Sequence, residues 1–447
     1  MRRLLRTLGI DRPVAHTLIG HGSAVIAGPI TVLMIATLLS PEQQGYFYTF
    51  LSLTALNVFF ELGLSYVVMQ VAAHESATLT WSPGGTLEGD ERRLQRLAGF
   101  FAKATRWYAV AAAALVAVVL PVGFVFFGRG PAPSAGVAWR TPWVFAVVAV
   151  ALNLCVSPLL AVLEGSGQVA HVTFVRAVGN IGKSVALWLA LAAGFGLYGV
   201  FALNAAQLAS AAGWLLARRR PFFADLRARA ATAPDFDWRR EVWPFQWKIA
   251  LSWLSGYFLF QIFTPLLFKF EGPVRAGQMG MSINVTGAIL TVGMAWIQTK
   301  GAPFGRLIAN REFEALDRLF FRAVRQSFAV VVAGECSFLL AVALLRRLHH
   351  PLADRVLDPL PLALLAGTAI VNQIIFSEAL YLRAHKEEPF LWPSVLGALA
   401  TAAASYFLGR CCGATGMMWG NFLLTLPGIA LGTWIFVTRR RLWHGAA

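Results

Sequence analysis

Residues 196–204 read GLYGVFALN and residues 413–421 read GATGMMWGN, so the pattern Gly-x-x-Gly-x4-Asn occurs twice. Each copy lies between two long apolar runs, and the run that follows each copy ends in three arginines, at residues 218–220 and 439–441. A pattern that repeats with the same spacing in the same context indicates a duplicated unit. The sequence therefore predicts two halves of similar structure.

The composition places the chain in a membrane. Its 447 residues are 57% hydrophobic and only 13% charged, which is about half the charged fraction of a soluble protein. A bilayer core about 30 Å thick needs about 20 apolar residues of helix, and the spans must be helical because lipid cannot satisfy backbone amides. About twelve such runs are present, at 14–39, 46–73, 107–128, 143–163, 173–194, 198–217, 244–268, 278–300, 327–345, 360–382, 390–409 and 416–437.

The distribution of cations predicts the orientation of these spans. About 28 of the 38 Lys and Arg residues lie at the two termini and on every second loop, and an excess of Lys and Arg marks cytoplasmic loops. Both termini are therefore predicted to be cytoplasmic. Most of the net charge of +16 is explained by orientation, and no nucleic-acid partner is expected.

The repeat predicts an all-α polytopic protein of two pseudo-symmetric six-helix bundles. We expect an N-terminal bundle at 1–220, a cytoplasmic linker at 221–243 and a C-terminal bundle at 244–447. Each half also contains an amphipathic stretch before its third span, which predicts a helix that either lies flat on anionic lipid or packs on the bundle. The apolar positions of these stretches are Leu94, Leu97, Phe101 and Ala104 in the first half and Phe313, Leu316, Phe320 and Val324 in the second.

Two cations fall inside the fifth span. Arg176, Asn180 and Lys183 have the spacing i, i+4, i+7 and share one face of a helix. A charge at mid-bilayer costs roughly 2.5 to 3.5 kcal/mol, so it is a candidate functional residue. We predict an anion site here, which Lys248 and Lys300 would extend. In the alternative, Arg176 reaches the interface, Lys183 pairs with an acid such as Glu61, and the other two lysines only flank their helices.

Three carboxylates also fall within apolar runs: Glu61, Glu378 and Glu335. Carboxylates in a low dielectric exchange protons or pair with cations. They are therefore candidates for proton coupling, and internal ion pairing is the alternative.

No catalytic residue and no metal or cofactor site is predicted. The sequence has no nucleotide-binding Gly-rich loop and no metal-ligand cluster. The predicted loops are also too small to form the extramembrane site of a membrane enzyme.

The order of motifs resembles that of the Wzx-type polysaccharide flippases of the multidrug/oligosaccharidyl-lipid/polysaccharide (MOP) exporter superfamily. Residues 38–46 read LLSPEQQGY and residues 61–64 read ELGL, which look like the first loop and second helix of that family. The Gly-x-x-Gly turns at 196–199 and 413–416 resemble the turns before its sixth and twelfth helices.

This resemblance implies a MATE-like pair of bundles in the bacterial inner membrane. It would move an undecaprenyl-diphosphate-linked oligosaccharide between leaflets by alternating access, with proton coupling as a further expectation. Arg176 and Lys183 would attract the diphosphate. The first span has no Lys or Arg after Arg12, which disfavours lipid II as the substrate. Anionic lipids, a polysaccharide polymerase and glycosyltransferases are the expected partners.

Two other functions remain open. A multidrug or cation antiporter of the same superfamily would need net negative charge in its cavity, which the cations of the fifth span disfavour. A non-transporting scaffold of a glycan assembly complex would pair its buried charges internally.

Overall fold

A computed structural model describes residues 27–128, 136–233, 236–385, 387 and 389–445. The described residues are almost entirely helical, apart from one antiparallel hairpin of two strands, β1 (Thr80–Trp81) and β2 (Leu87–Glu88). The helices are α1 (Ala27–Leu38), α2 (Pro41–Thr54), α3 (Val58–Glu61), α4 (Leu64–Glu75), α5 (Glu91–Gly128), α6 (Arg140–Gly165), α7 (Val169–Ala192), α8 (Gly199–Arg218), α9 (Arg220–Ala230), α10 (Trp238–Glu241), α11 (Trp243–Phe260), α12 (Phe263–Glu271), α13 (Pro273–Gln298), α14 (Gly301–Ala309), α15 (Phe313–Arg347), α16 (Pro359–Ala384) and α17 (Leu391–Gly445). Short 3-10 segments occur at Ala55–Asn57, Gly196–Tyr198 and Pro351–Arg355.

The predicted all-α membrane architecture is confirmed. Within the described part of the chain, nine helices are long and apolar enough to cross a membrane, or ten when α2 to α4, which are bent by 42°, count as one span. The count of twelve spans and the cytoplasmic termini stay predictions. Residues 1–26, which include half of the first predicted span and the N-terminal cations, lie outside the described residues.

The last helical segment contains two of the predicted spans. A straight helix of 55 residues would be about 80 Å long, far more than a bilayer core. Gly413 interrupts it with φ 58° and ψ −144°. Beyond that break the chain folds back on itself. Two close approaches show this: a Cβ at Gly416 would lie 2.6 Å from the Leu408 carbonyl oxygen, and one at Gly420 would lie 2.7 Å from Leu408 Cδ1.

The two Gly-x-x-Gly turns share an unusual backbone conformation. Gly196 has φ 52° and Gly413 has φ 58°, values that only glycine adopts without strain. In the first turn, a 3-10 segment then leads into α8, which begins at Gly199. The two copies of the sequence pattern therefore share a glycine with positive φ at their first position.

The amphipathic stretches pack on protein. The first forms the start of the 38-residue α5, where Leu94, Leu97 and Ala104 are almost fully buried and Phe101 contacts Phe223 of α9 with ring centroids 5.4 Å apart. In the second half, the corresponding residues of α15 belong to a buried cluster with Phe304, Tyr381 and Phe436. Of the two alternatives, packing on the bundle agrees with the structure, because these residues are buried by protein and each stretch continues directly into a long helix.

Contacts divide the described residues into two units. Unit 1 contains residues 53–128, 136–233 and 236–254, and unit 2 contains residues 28–52 and the described residues from 255 onward. In unit 2, Gly45 approaches the Pro273 backbone so closely that a Cβ would overlap it, and Gln44 Nε2 donates to the Gly277 carbonyl at 2.9 Å. The start of α2 therefore packs with C-terminal helices. The predicted boundaries at 1–220, 221–243 and 244–447 stay a prediction.

We expect Gly413→Ala to destabilise the protein by about 1–2 kcal/mol, the typical cost of a left-handed conformation for a residue with a Cβ. The added methyl group would also overlap Glu271 Oε1. Gly397→Ala is the matched control, because Gly397 is helical and no atom lies near its Cβ position. Thermal unfolding in detergent should give a lower midpoint for the first variant and an unchanged or higher one for the control. Equal midpoints would contradict the proposed backbone requirement.

Candidate functional site

The predicted cationic face lies on α7 in unit 1. This helix packs on α8, and a Cβ at Gly179 would lie 2.8 Å from Ser210 Oγ of that helix. Val172 and Val175, on the same side of α7 as Gly179, are buried. Arg176, Asn180 and Lys183 occupy the neighbouring face, where the first two are exposed and Lys183 is half-buried. The three side chains therefore share a face, as the spacing predicted.

Arg176 has a partner that the sequence did not reveal. Its Nη2 lies 2.7 Å from Oε2 of Glu164, near the end of α6. Arg176 is seven residues into α7, about 10 Å from the start of that helix. Part of its charge is thus balanced within unit 1, and its role as an anion ligand stays a prediction.

Lys183 has no partner among the residues that the structure describes. It lies fourteen residues into α7, about 21 Å from Val169 along the helix axis, and it forms neither an ion pair nor a hydrogen bond with any residue that the structure describes. The alternative in which it pairs with Glu61 is wrong for this structure. An unpaired ammonium group at this depth needs water or an anion, so Lys183 is the centre of the candidate site.

Glu61 lies at a break between two helices. Leu62 and Gly63 have φ 52° and φ 64°, and a Cβ at Gly63 would overlap Ile249, so the backbone turns here and a side chain at position 63 is excluded. The break ends α3 at Glu61 and starts α4 at Leu64. The Glu-Leu-Gly element of the sequence is therefore a kink that sets the position of the Glu61 carboxylate.

Hydroxyl groups surround the Glu61 carboxylate, and none of the cations in the described ranges pairs with it. Ser65 Oγ donates to Glu61 Oε1 at 2.6 Å, Tyr108 Oη at 3.4 Å and Ser157 Oγ at 3.5 Å. The three donors come from α4, α5 and α6. Hydrogen bonds of this kind stabilise a carboxylate without neutralising it.

The other two carboxylates lie in unit 2 and are more isolated. Glu378 Oε1 accepts a hydrogen bond from Thr433 Oγ1 at 2.9 Å, while its Oε2 is buried without a partner among the described residues. Glu335 is 0% exposed, and neither of its carboxylate oxygens has a described partner. An ionised carboxylate in such a position is costly. A bound proton or cation would remove that cost, which is the property required of a coupling residue.

The remaining predicted cations are distributed between the two units. Lys248 is exposed on α11 in unit 1, with Nζ 5.8 Å from the ring centroid of Trp247, an arrangement typical of a membrane interface. Lys300 is half-buried in unit 2, where it occupies the N-cap position of α14 without a side-chain capping bond. The structure gives Lys248 the surroundings of a flanking cation, and its role as a ligand stays a prediction, as does that of Lys300.

Unit 2 also contains a polar cluster around Asp317 that the sequence analysis did not predict. Asp317 of α15 accepts hydrogen bonds from Tyr381 Oη at 3.0 Å and from Arg440 Nε at 2.9 Å, and His444 Nδ1 lies 3.5 Å from it. Nearby, the rings of His385 and Trp443 stack 3.8 Å apart. This cluster ties α15, α16 and α17 together. The sequence had counted Arg440 only as an orientation signal.

The comparisons with known proteins identify the fold. Neither a protein-family model nor a curated protein matches the sequence. An outward-facing multidrug resistance MATE family transporter of the MOP superfamily matches with 13% identity and a TM-score of 0.62, over 98% of each chain. A MOP superfamily transporter from Pyrococcus furiosus, described by a binding pocket of reversed polarity, matches with 13% identity and a TM-score of 0.58, over 97% of this chain and 95% of its own.

A lipid-handling protein has the same fold. The lipid II flippase MurJ, in an inward closed conformation, is 11% identical and has a TM-score of 0.56, over 94% of this chain and 87% of its own. At these identities the likeness concerns the fold alone. The predicted MOP-type, MATE-like fold is therefore confirmed, and these neighbours include both multidrug transporters and a flippase.

We expect Glu335→Leu to raise the midpoint of thermal unfolding in detergent. The substitution replaces a buried, unpartnered carboxylate with an apolar side chain of similar size, and an unsatisfied buried polar group costs about 1–3 kcal/mol. Glu164→Leu is the matched control, because it removes a glutamate that is paired with Arg176, and it should lower the midpoint. A lower midpoint for Glu335→Leu would show that Glu335 has a partner.

Proposed function

We propose that this protein is a transporter of the bacterial inner membrane, and no enzyme, which moves an undecaprenyl-diphosphate-linked oligosaccharide from the inner to the outer leaflet by alternating access. The fold supports transport in general, since structures with this fold include transporters and a lipid II flippase. The choice of an anionic lipid-linked substrate rests on the charges of unit 1.

The observation that carries the proposal is the unpartnered Lys183. A half-buried ammonium group deep in α7, with Asn180 and Arg176 on the same face, is a site for an anion. Arg176 remains useful because a guanidinium group has five N–H donors, more than its ion pair with Glu164 requires.

The magnitude of the interaction suits a diphosphate. One cation and one phosphate charge 4 Å apart interact by roughly 4 kcal/mol at an effective dielectric of 20. A diphosphate carries about two charges, and it must leave water to cross the membrane. Lys183 and Arg176 together would offset much of that desolvation, while the prenyl tail stays in the lipid and needs no shelter from the protein.

The carboxylates supply the coupling in this proposal. Glu335 and Glu378 have buried oxygens without described partners, so a proton stabilises each of them in this conformation. Glu61 differs from them because its carboxylate already accepts hydrogen bonds from three hydroxyl groups. We therefore assign proton uptake to unit 2, with Glu335 as the stronger candidate.

A multidrug or cation antiporter is the second candidate function. The same unpartnered oxygens of Glu335 and Glu378 favour it, because an organic cation would satisfy them as a proton does. The MATE family transporter of similar fold is described as a multidrug resistance protein. In this case Lys183 would have no role in binding the transported molecule. A non-transporting scaffold is less well supported. Its buried charges would pair with one another, whereas the Glu335 oxygens have no described partner.

Transport by the purified full-length protein in proteoliposomes tests the proposal. The vesicles carry a polyprenyl-diphosphate-linked oligosaccharide, and an impermeant sugar-oxidising reagent reports how much of it reaches the other leaflet. Lys183→Gln should lower the initial rate roughly ten- to hundredfold, because a charge-assisted hydrogen bond contributes about 1.5–3 kcal/mol. Lys183→Arg should retain most of the rate, and Arg176→Gln should lose less than Lys183→Gln because Arg176 is already paired.

Arg318→Gln is the control for charge, since Arg318 is exposed on α15 outside the apolar part of that helix. Correct insertion of every variant is checked by its thermal unfolding midpoint. An undiminished rate in Lys183→Gln would contradict the anion site. If the protein instead moves organic cations, and Glu335→Gln and Glu378→Gln abolish that movement while Lys183→Gln does not, the second candidate function is correct.

A further inference from the structure

The second predicted span contains a break that its sequence does not require. Residues 46–73 form one apolar run, and no proline occurs between Pro41 and Pro83. Proline breaks a helix because it removes a backbone N–H, whereas every residue of this run keeps its N–H. The local sequence therefore permits a continuous helix. The structure instead contains α2, the 3-10 segment Ala55–Asn57, α3 and α4, with a bend of 42°.

The break places backbone strain on Leu62. Its φ is 52°, in the left-handed region where a Cβ lies too close to the following carbonyl oxygen. Arg311 and His349 also have positive φ, but both lie between predicted spans. Among the residues that the structure describes, Leu62 is the one non-glycine residue with this conformation inside a predicted span. A bulky residue persists in such a conformation only when its surroundings hold it there.

The break also costs backbone hydrogen bonds. The first N–H groups of a helix have no intrahelical partner, and Gly63, at the N-cap position of α4, has no side chain that could accept from them. Unsatisfied N–H groups are costly within a bilayer. In a continuous helix, each of these groups would bond to the carbonyl four residues earlier. Backbone strain and hydrogen bonding therefore both favour the continuous form.

Tertiary contacts hold the span in its bent form. A Cβ at Gly63 would lie 2.4 Å from Cγ2 of Ile249, so α11 approaches the break closely. Glu61, the last residue of α3, accepts hydrogen bonds from Tyr108 Oη of α5 at 3.4 Å and from Ser157 Oγ of α6 at 3.5 Å. Both are longer than the usual O–H···O distance and therefore weak. A small movement of α5 or α6 would break them.

The two arms of the break are packed within different units. In unit 2, Gly45 at the start of α2 approaches the Pro273 backbone so closely that a Cβ would overlap it. In unit 1, a Cβ at Gly165 of α6 would lie 2.3 Å from the Met69 carbonyl oxygen of α4. The chain passes from unit 2 to unit 1 inside α2. The bend angle is therefore coupled to any movement of one unit relative to the other.

We propose that the second span is a two-state hinge, bent at Leu62 in this structure and continuous in a second conformation of the protein. Straightening returns Leu62 to a helical φ and takes Glu61 away from Tyr108 and Ser157. A change of 42° over the roughly 18 Å from Leu62 to His74 moves the end of α4 by about 13 Å relative to α2. A bistable element of this kind is what a switching transition requires. The inference does not depend on what the protein transports.

Fluorine NMR of the full-length protein in detergent tests the proposal. Serine replaces the four cysteines, and His74→Cys carries a trifluoromethyl label, because His74 is exposed near the end of α4. The two forms should give two signals or, in fast exchange, one averaged signal. Leu62→Gly should raise the ratio of bent to continuous form about five- to thirtyfold, which corresponds to the cost of about 1–2 kcal/mol for a left-handed residue with a Cβ. Leu62→Ala is the matched control, because it keeps the Cβ and should not increase the bent form.

Gly63→Ala should shift the same ratio in the opposite direction. Gly63 has φ 64°, and the added methyl group would overlap Ile249, so the substitution penalises the bent form. Tyr108→Phe should also lower the ratio, because it removes one hydrogen bond to the break but keeps the buried ring, and it tests the same point if Gly63→Ala fails to fold. Tyr66→Phe is its control, since the Tyr66 hydroxyl contacts Gln70 on the exposed face of α4.

Two outcomes would overturn the proposal. A single signal that none of these substitutions moves, in proteins that still unfold cooperatively, would show that the break is permanent. A shift in the same direction for Leu62→Gly and Gly63→Ala would show that the signal does not report the bend.

Discussion

The cost of placing polar groups in a hydrocarbon solvent governs this structure. Backbone amides satisfy that cost by forming helices, but side-chain charges need partners of their own. Arg176 obtains one from Glu164 at 2.7 Å, and Glu61 obtains three hydroxyl donors. Lys183 and Glu335 have none among the residues described. The charges of these two residues therefore lack compensation from the described protein, and an anionic ligand for Lys183 or a proton for Glu335 would supply it.

Much of the fold follows from the sequence because a lipid bilayer permits few backbone structures. Runs of about 20 apolar residues had to be helices, and the paired Gly-x-x-Gly patterns marked two turns in which glycine adopts a positive φ, at Gly196 and Gly413. The sequence did not reveal that the charged starts of α5 and α15 are continuous with the spans that follow. Their apolar faces indicated burial correctly, but lipid and protein are equally good apolar surroundings, and only tertiary packing distinguishes them.

The sequence predicted which charged residues belong to the candidate site, but it did not predict which of them form ion pairs. Helical spacing placed Arg176 and Lys183 on one face, and depth within an apolar run made both candidates. The partner of Arg176 lies on the preceding helix, where Glu164 is one residue beyond the predicted span 143–163 but inside α6. The ion pair between Asp317 and Arg440 joins residues 123 positions apart. Contacts of this length depend on how helices pack, which periodicity does not determine.

The unmet charges have opposite signs and belong to different units. Lys183 lies in unit 1 and Glu335 in unit 2, and each has its own described surroundings without a counter-ion. In the proposed mechanism an anionic headgroup neutralises Lys183, and a proton neutralises Glu335. A ligand shifts a conformational equilibrium only by its differential affinity for the two states. In the proposed mechanism, substrate binding in unit 1 and protonation in unit 2 are therefore linked through the transition between inward-facing and outward-facing states.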